Sequence, residues 1–141
     1  MARPPVVKSF LIADTVIQDR MSGKWSIIGV FDRVMTGAFP VFHPLALYLK
    51  LGDTSGRYKI KVELRDANDR QVALIEGNEI EVKPPIQTVE LGLRMPPIPL
   101  ERAGKYSFQL HVNNEFLASA PLEVLQVQMP PPPPPPPAPP S

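Results

Sequence analysis

Few side chains in this sequence are equipped for chemistry. There are two histidines and no cysteine, so disulfides, thiolate metal sites and a cysteine nucleophile are excluded. His43 sits in Phe42-His43-Pro44, and His111 alternates with Ser107 and Gln109 on an expected solvent face. The pair is far apart and lacks a His-x-x-x-His spacing, which makes it a poor metal-ligand set. No nucleophile, base and orienting group can be assembled around His111, and a loop histidine before proline, such as His43, is usually conformational or bonded to backbone. Asp14, Asp19 and Asp32 flank the first two strands and could converge at one end of the domain. Calcium would need roughly six to eight oxygens, and no Asp-x-Asp-x-Asp-Gly loop supplies them. Turn chemistry is the better reading of these acids, because short carboxylates at strand ends bond nearby amides. Asp66 and Asp69 are read in the same way, as members of a hairpin turn.

The glycines form no phosphate cradle and no nucleophile elbow. The chain is therefore expected to be no enzyme and to carry no metal or cofactor. Lys50, Arg57, Lys59 and Lys61 could form a positive strip for an acidic partner. Against this, Glu63, Glu79 and Glu81 are placed to balance them as cross-strand ion pairs.

Fifteen basic and fourteen acidic residues leave a net charge of +1, with both signs interspersed. No general nucleic-acid or anionic-membrane surface is expected from that balance. No run approaches the ~18 apolar residues of a membrane span. The first residues do not read as a signal peptide, since Lys8, Ser9 and Asp14 interrupt the apolar run. A cytoplasmic location is the expectation.

The positioning elements are strands. Tyr58, Ile60, Val62 and Leu64 alternate with Lys59, Lys61, Glu63 and Arg65, the pattern of a half-buried antiparallel strand. The same alternation recurs over Gln87 to Arg94 and Lys105 to Val112. Further strands are expected over Val6 to Ala13, Leu45 to Leu51, Val72 to Ile75, Glu79 to Lys83 and Leu122 to Gln128. Glu76-Gly77-Asn78 reads as a turn or bulge. The apolar phase slips between Val124 and Leu125, which predicts a bulge or two-sided burial. Lys24 to Asp32 is apolar on both faces, through Trp25, Ile27, Ile28, Val30 and Phe31, which predicts a central strand. Arg33 to Ala38 reads as a short turn. Turn signals at regular intervals then predict eight or nine strands in one antiparallel, immunoglobulin-like β-sandwich spanning residues 1–129.

Gly104-Lys105-Tyr106 resembles the corner of such sandwiches, where a tyrosine hydroxyl bonds back to upstream backbone. Trp25, Gly104 and Tyr106 are accordingly assigned structural roles. Phe10-Leu-Ile-Ala-Asp14, Ser22-Gly-Lys24, Ile27-Ile-Gly-Val-Phe-Asp32, Phe39-Pro-x-x-His43-Pro44 and Gly104-Lys-Tyr106-Ser-Phe108 follow in order. In these motifs the chain resembles a family of uncharacterised bacterial β-sandwich domains. The resemblance covers most of Phe10 to Val127. It implies a β-sandwich and a bacterial origin, and brings no activity to any residue.

Residues 130–141 form a polyproline tail, expected to be disordered. Pro130, Pro131, Pro132, Pro133, Pro134, Pro135, Pro136 and Pro137 are consecutive and cannot join a sheet, having no amide donor. A polyproline II rod of twelve residues reaches on the order of 35 Å. These prolines are candidate partner-binding residues for an aromatic-lined groove, although a low-complexity spacer is the favoured reading of them. The function this supports is a non-catalytic binding or structural module with an unknown protein partner. The alternative is a small-ligand or carbohydrate-binding sandwich, using Trp25, Phe39, Phe42, Tyr48 or Phe116.

Overall fold

The computed structural model describes residues 2–128 and 133–140. Among these described residues eleven strands run in order: β1 (Val6–Gln18), β2 (Trp25–Val30), β3 (Arg33–Thr36), β4 (Val41–Phe42), β5 (Ala46–Gly52), β6 (Gly56–Arg65), β7 (Gln71–Val82), β8 (Val89–Arg94), β9 (Pro99–Leu100), β10 (Gly104–Val112) and β11 (Glu115–Gln126). No helix occurs among the described residues, and so none is long and apolar enough to cross a membrane.

The all-β expectation holds, but the arrangement differs from a single antiparallel sandwich of eight or nine strands. Three sheets form, in the orders β2-β1-β5-β8, β3-β11-β10-β6-β7 and β4-β9. One ladder is parallel, β3 against Glu123–Gln126 of β11. The extra strands are short: β3 has four residues, and β4 and β9 have two each. Pieces of that length carry too few side chains to show a period. Arg33 to Ala38 thus read as a turn, while its first four residues form β3.

Alternation decides the interior. Tyr58, Ile60, Val62 and Leu64 of β6 are at most 1% exposed, and Phe108 and Leu110 of β10 are fully buried. They meet Leu47, Leu49 and Leu51 of β5 in one core shared by the two large sheets. Phe108 stands at its centre; its truncation to alanine would cost about 3–5 kcal/mol. Tyr58 also turns its hydroxyl to the backbone ahead of β1 and to the connection between β5 and β6. It donates to the Arg3 carbonyl at 2.5 Å and accepts from the Ser55 amide at 2.8 Å.

Several boundaries move. β1 continues past Ala13 to Gln18 because two partners share it: β5 takes Val6 to Ala13, and β2 takes Ala13 to Gln18. The strands expected over Val72 to Ile75 and Glu79 to Lys83 are one strand, β7, which ends at Val82 and has a register shift opposite Ile60 and Val62. Gly77 makes that bulge possible, at φ +94°. In β11 the irregularity falls at Leu117, opposite Leu110 and His111, not at Val124 and Leu125. Leu125 instead lies beside Met35 of β3 and is half-buried.

The main correction concerns β2. A strand apolar on both faces was expected at the centre of a sheet, and β2 stands at an edge. Part of its apolar character is used locally. The far half of β1 and β2 turn over β5 and β8, bringing Trp25 edge-on to Tyr48 at a centroid distance of 6.5 Å. Gly92 leaves room for this arm, since a Cβ there would lie 2.7 Å from the Trp25 ring and 2.9 Å from Val16 Cγ1. Ile28 and Val30 receive no such cover.

Candidate functional site at the open edge of the first sheet

A free strand edge exposes unpaired amides and carbonyls, and proteins guard such edges with charges, prolines or bulges. The two large sheets have four outermost strands. β7 carries Glu76, Glu79 and Glu81, β8 carries Glu90 and Arg94, and β3 carries Arg33. β2 reads Trp-Ser-Ile-Ile-Gly-Val, with neither charge nor proline. Its Ile28 is 51% exposed and its Val30 60%. Ile17 of β1 lies on the same face, because Thr15 pairs with Ile28 and Ile17 with Ser26. It too is half exposed.

Residues from three of the sequence motifs meet beside this edge. Asp14 stands against Gly29, where a Cβ would lie 2.3 Å from its Oδ2, and few side chains tolerate the Gly29 φ of +73°. His43 Nε2 stands 3.7 Å from Asp14 Oδ1, and its ring packs edge-on against Phe31 at 5.1 Å. That separation allows attraction when the imidazole is protonated. It is too long for the hydrogen bond that would orient His43 as a base. Both groups are open to water, so the pair is a polar shoulder of the edge.

On the other side of the arm, the Tyr48 hydroxyl donates to a Glu90 carboxylate oxygen. Burial, the bond to Glu90 and the negative charge of Glu90 push the Tyr48 phenol up to about 12. This holds β8 against β5 beneath Trp25.

The other candidate residues are dispersed. Asp19 accepts from the Met21 amide at 3.0 Å and the Ser22 hydroxyl at 2.8 Å. Asp66 accepts from the Asn68 and Arg70 amides, each at 2.9 Å. Both are held below the usual carboxylate value by these bonds, and each closes its own turn. No group of three His, Cys, Asp or Glu that could hold a metal occurs among the described residues. Lys50 lies on the first sheet, whereas Arg57, Lys59 and Lys61 lie on β6 of the second, opposite Glu81 and Glu79 of β7. The four do not form one strip.

Tyr48 is buried and Phe39 packs against the core, so the aromatic rings do not assemble into a platform. Phe42 and Phe116 are exposed. His111, expected on a solvent face, is half-buried against Phe116 at 5.7 Å, with Nδ1 unbonded. The Tyr106 hydroxyl donates to the Arg102 carbonyl at 2.7 Å, which is the bond of a tyrosine corner. Gly104 opens that strand at φ +148°. Of the candidate prolines, Pro130, Pro131 and Pro132 lie outside the described residues. Pro133, Pro134, Pro135, Pro136 and Pro137 are exposed and belong to no strand.

The model of a family of unknown function (DUF6941) matches residues 8–125. The chain belongs to that family. No curated protein matches it in sequence. The family span contains the whole β2 edge and the Asp14, Gly29, Phe31 and His43 shoulder, and it stops short of the prolines. In this member of the family, sequence reasoning missed Ile28 and Val30 as surface residues. The available signal was an apolar strand with no charge at either face, which reads identically for a buried centre and for an edge awaiting a partner.

Proposed function

We propose that this protein is a non-catalytic, cytoplasmic protein-binding module that uses β2 as its contact edge. The observation that carries the reading is the uncharged, proline-free strand with Ile28 and Val30 exposed at the end of a four-stranded sheet. Such an edge accepts an added strand, with backbone bonds giving affinity and alternate side chains giving selectivity. The scaffold behind it is inferred to be an immunoglobulin-like sandwich variant, supported by the Tyr106 corner and by the core between two large sheets.

A second reading places binding on the prolines, supported by the exposure of Pro133 to Pro137. Affinity capture with three baits separates the two: the full chain, an Ile28→Lys chain and a chain ending at Met129. A partner lost with Ile28→Lys and kept by the shortened chain supports the edge. The opposite pattern overturns it in favour of the prolines. The small-ligand alternative draws less support, because Trp25 and Tyr48 are engaged with each other.

A further inference from the structure

Two charges bracket the apolar edge. Lys24 precedes β2 and Asp32 follows it, and both side chains are exposed. We propose that β2 pairs antiparallel with β2 of a second copy of this chain, about a two-fold axis at Ile28. This rests on the reading of β2 as the contact edge, and it names the occupant.

The register follows from the sequence of the strand. With Ile28 opposite its own copy, Ser26 stands opposite Val30, Ile27 opposite Gly29 and Lys24 opposite Asp32. The two-fold repeats each pair, so an ion pair closes both ends of the ladder. Ile28 meets Ile28 at the centre, flanked diagonally by Val30, on the face already occupied by Ile17. The β1–β2 ladder pairs Gln18–Trp25 through Thr15–Ile28 and again Ala13–Val30, with Gly29 at φ +73° between the two stretches.

The other edges suit self-pairing less well. β7 has acids at three positions and no basic residue to set against them. β8 could match Glu90 with Arg94, but Glu90 already accepts the Tyr48 hydroxyl, and β8 exposes no large apolar side chain. β3 offers only four residues, one of them arginine. An unrelated peptide is the competing occupant, but self-pairing sets the opposite charges equally spaced from Ile28 against each other. A ladder this short buries less than a standard interface, so the dimer is expected to be weak, with a dissociation constant on the order of tens of micromolar.

Sedimentation of the full chain over about 1 μM to 1 mM tests this. The mass is expected to rise from one chain to two. Lys24→Asp opposes two pairs of like charges and should weaken association at least about tenfold. Adding Asp32→Lys to Lys24→Asp restores opposite charges and should recover the dimer. Both residues are exposed and outside β2, and circular dichroism checks that each variant is folded. Because the chain has no cysteine, Ile28→Cys supplies an independent probe, expected to give a disulfide-linked dimer on mild oxidation.

A wild-type chain that stays monomeric throughout overturns the proposal, as does a dimer indifferent to Lys24→Asp. If a monomeric wild type still loses a captured partner through Ile28→Lys, the second copy is wrong and the binding edge stands.

Discussion

Asp14 of β1 stands against Gly29 of β2, and its carboxylate occupies the space where a side chain at position 29 would stand. Two constraints thus act on one residue. The backbone there has φ +73°, a region that L side chains seldom adopt, and the neighbouring strand fills the volume.

Gly29→Ala is therefore expected to destabilise the protein by about 1–3 kcal/mol. Urea unfolding would measure it. Asp14→Ala in the same background should recover the share due to crowding and leave the share due to backbone strain. An alanine variant as stable as the wild type would refute the geometry.

Tyr106 keeps its ring in the core while its hydroxyl reaches the Arg102 carbonyl. Tyr106→Phe removes that bond and retains the packing, so it is expected to cost about 1 kcal/mol. The urea midpoint should fall with an unchanged slope, because the surface exposed on unfolding stays the same.

Glu63 is expected to make stability fall in acid. Burial raises its carboxyl, but this is outweighed by the bonds and charges of Arg65 and Lys61, and the net shift is downward. Arg65 Nη2 lies 2.7 Å and Lys61 Nζ 3.4 Å from the carboxylate. A carboxyl depressed on folding stabilises above its unfolded value, near 4.5, and loses that contribution as pH falls through the lower folded value. Urea midpoints measured from neutral pH into acid should decline in that window. Glu63→Gln should flatten the decline, leaving the part set by Asp19 and Asp66, which are also depressed.

Alkali should expose Tyr48 separately. Its phenol is raised from 10.0 to about 12, so the neutral form is favoured by folding. That contribution is complete below pH 10 and is lost as pH rises through about 12. Ultraviolet titration of the folded chain should show a phenolate step near pH 12 that vanishes in Tyr48→Phe. A Tyr48 step near 10 would contradict the buried contact with Glu90.

Much of this architecture is legible in the sequence. Alternation over Tyr58 to Leu64 and over Tyr106 to Val112 determines which face of each strand enters the core, because a pleated strand has a period of two. Glycine, proline and Asp-rich segments determine where most strands end, and Gly104-Lys105-Tyr106 marks the corner. The same alternation misleads at Glu63, which points away from the core yet is 7% exposed. Its neighbours Lys61 and Arg65 on the same strand cover it, a packing effect that polarity alone does not reveal.

Strand neighbours were decided only in three dimensions. Periodicity assigns a side chain to a face, but it carries no record of which strand lies alongside. The apolar stretch Trp25–Val30 was equally consistent with the centre of a sheet and with its margin. Its place at the edge followed from long-range pairing: β5 occupied one side of β1, β2 took the other, and the crossover to β3 carried the chain to the second sheet before another strand could cover Ile28 and Val30. Composition and period thus determined that this chain is all-β and which residues fill its core. The tertiary structure alone decided which strand was left open, because an edge is a property of the whole ladder and not of the residues within it.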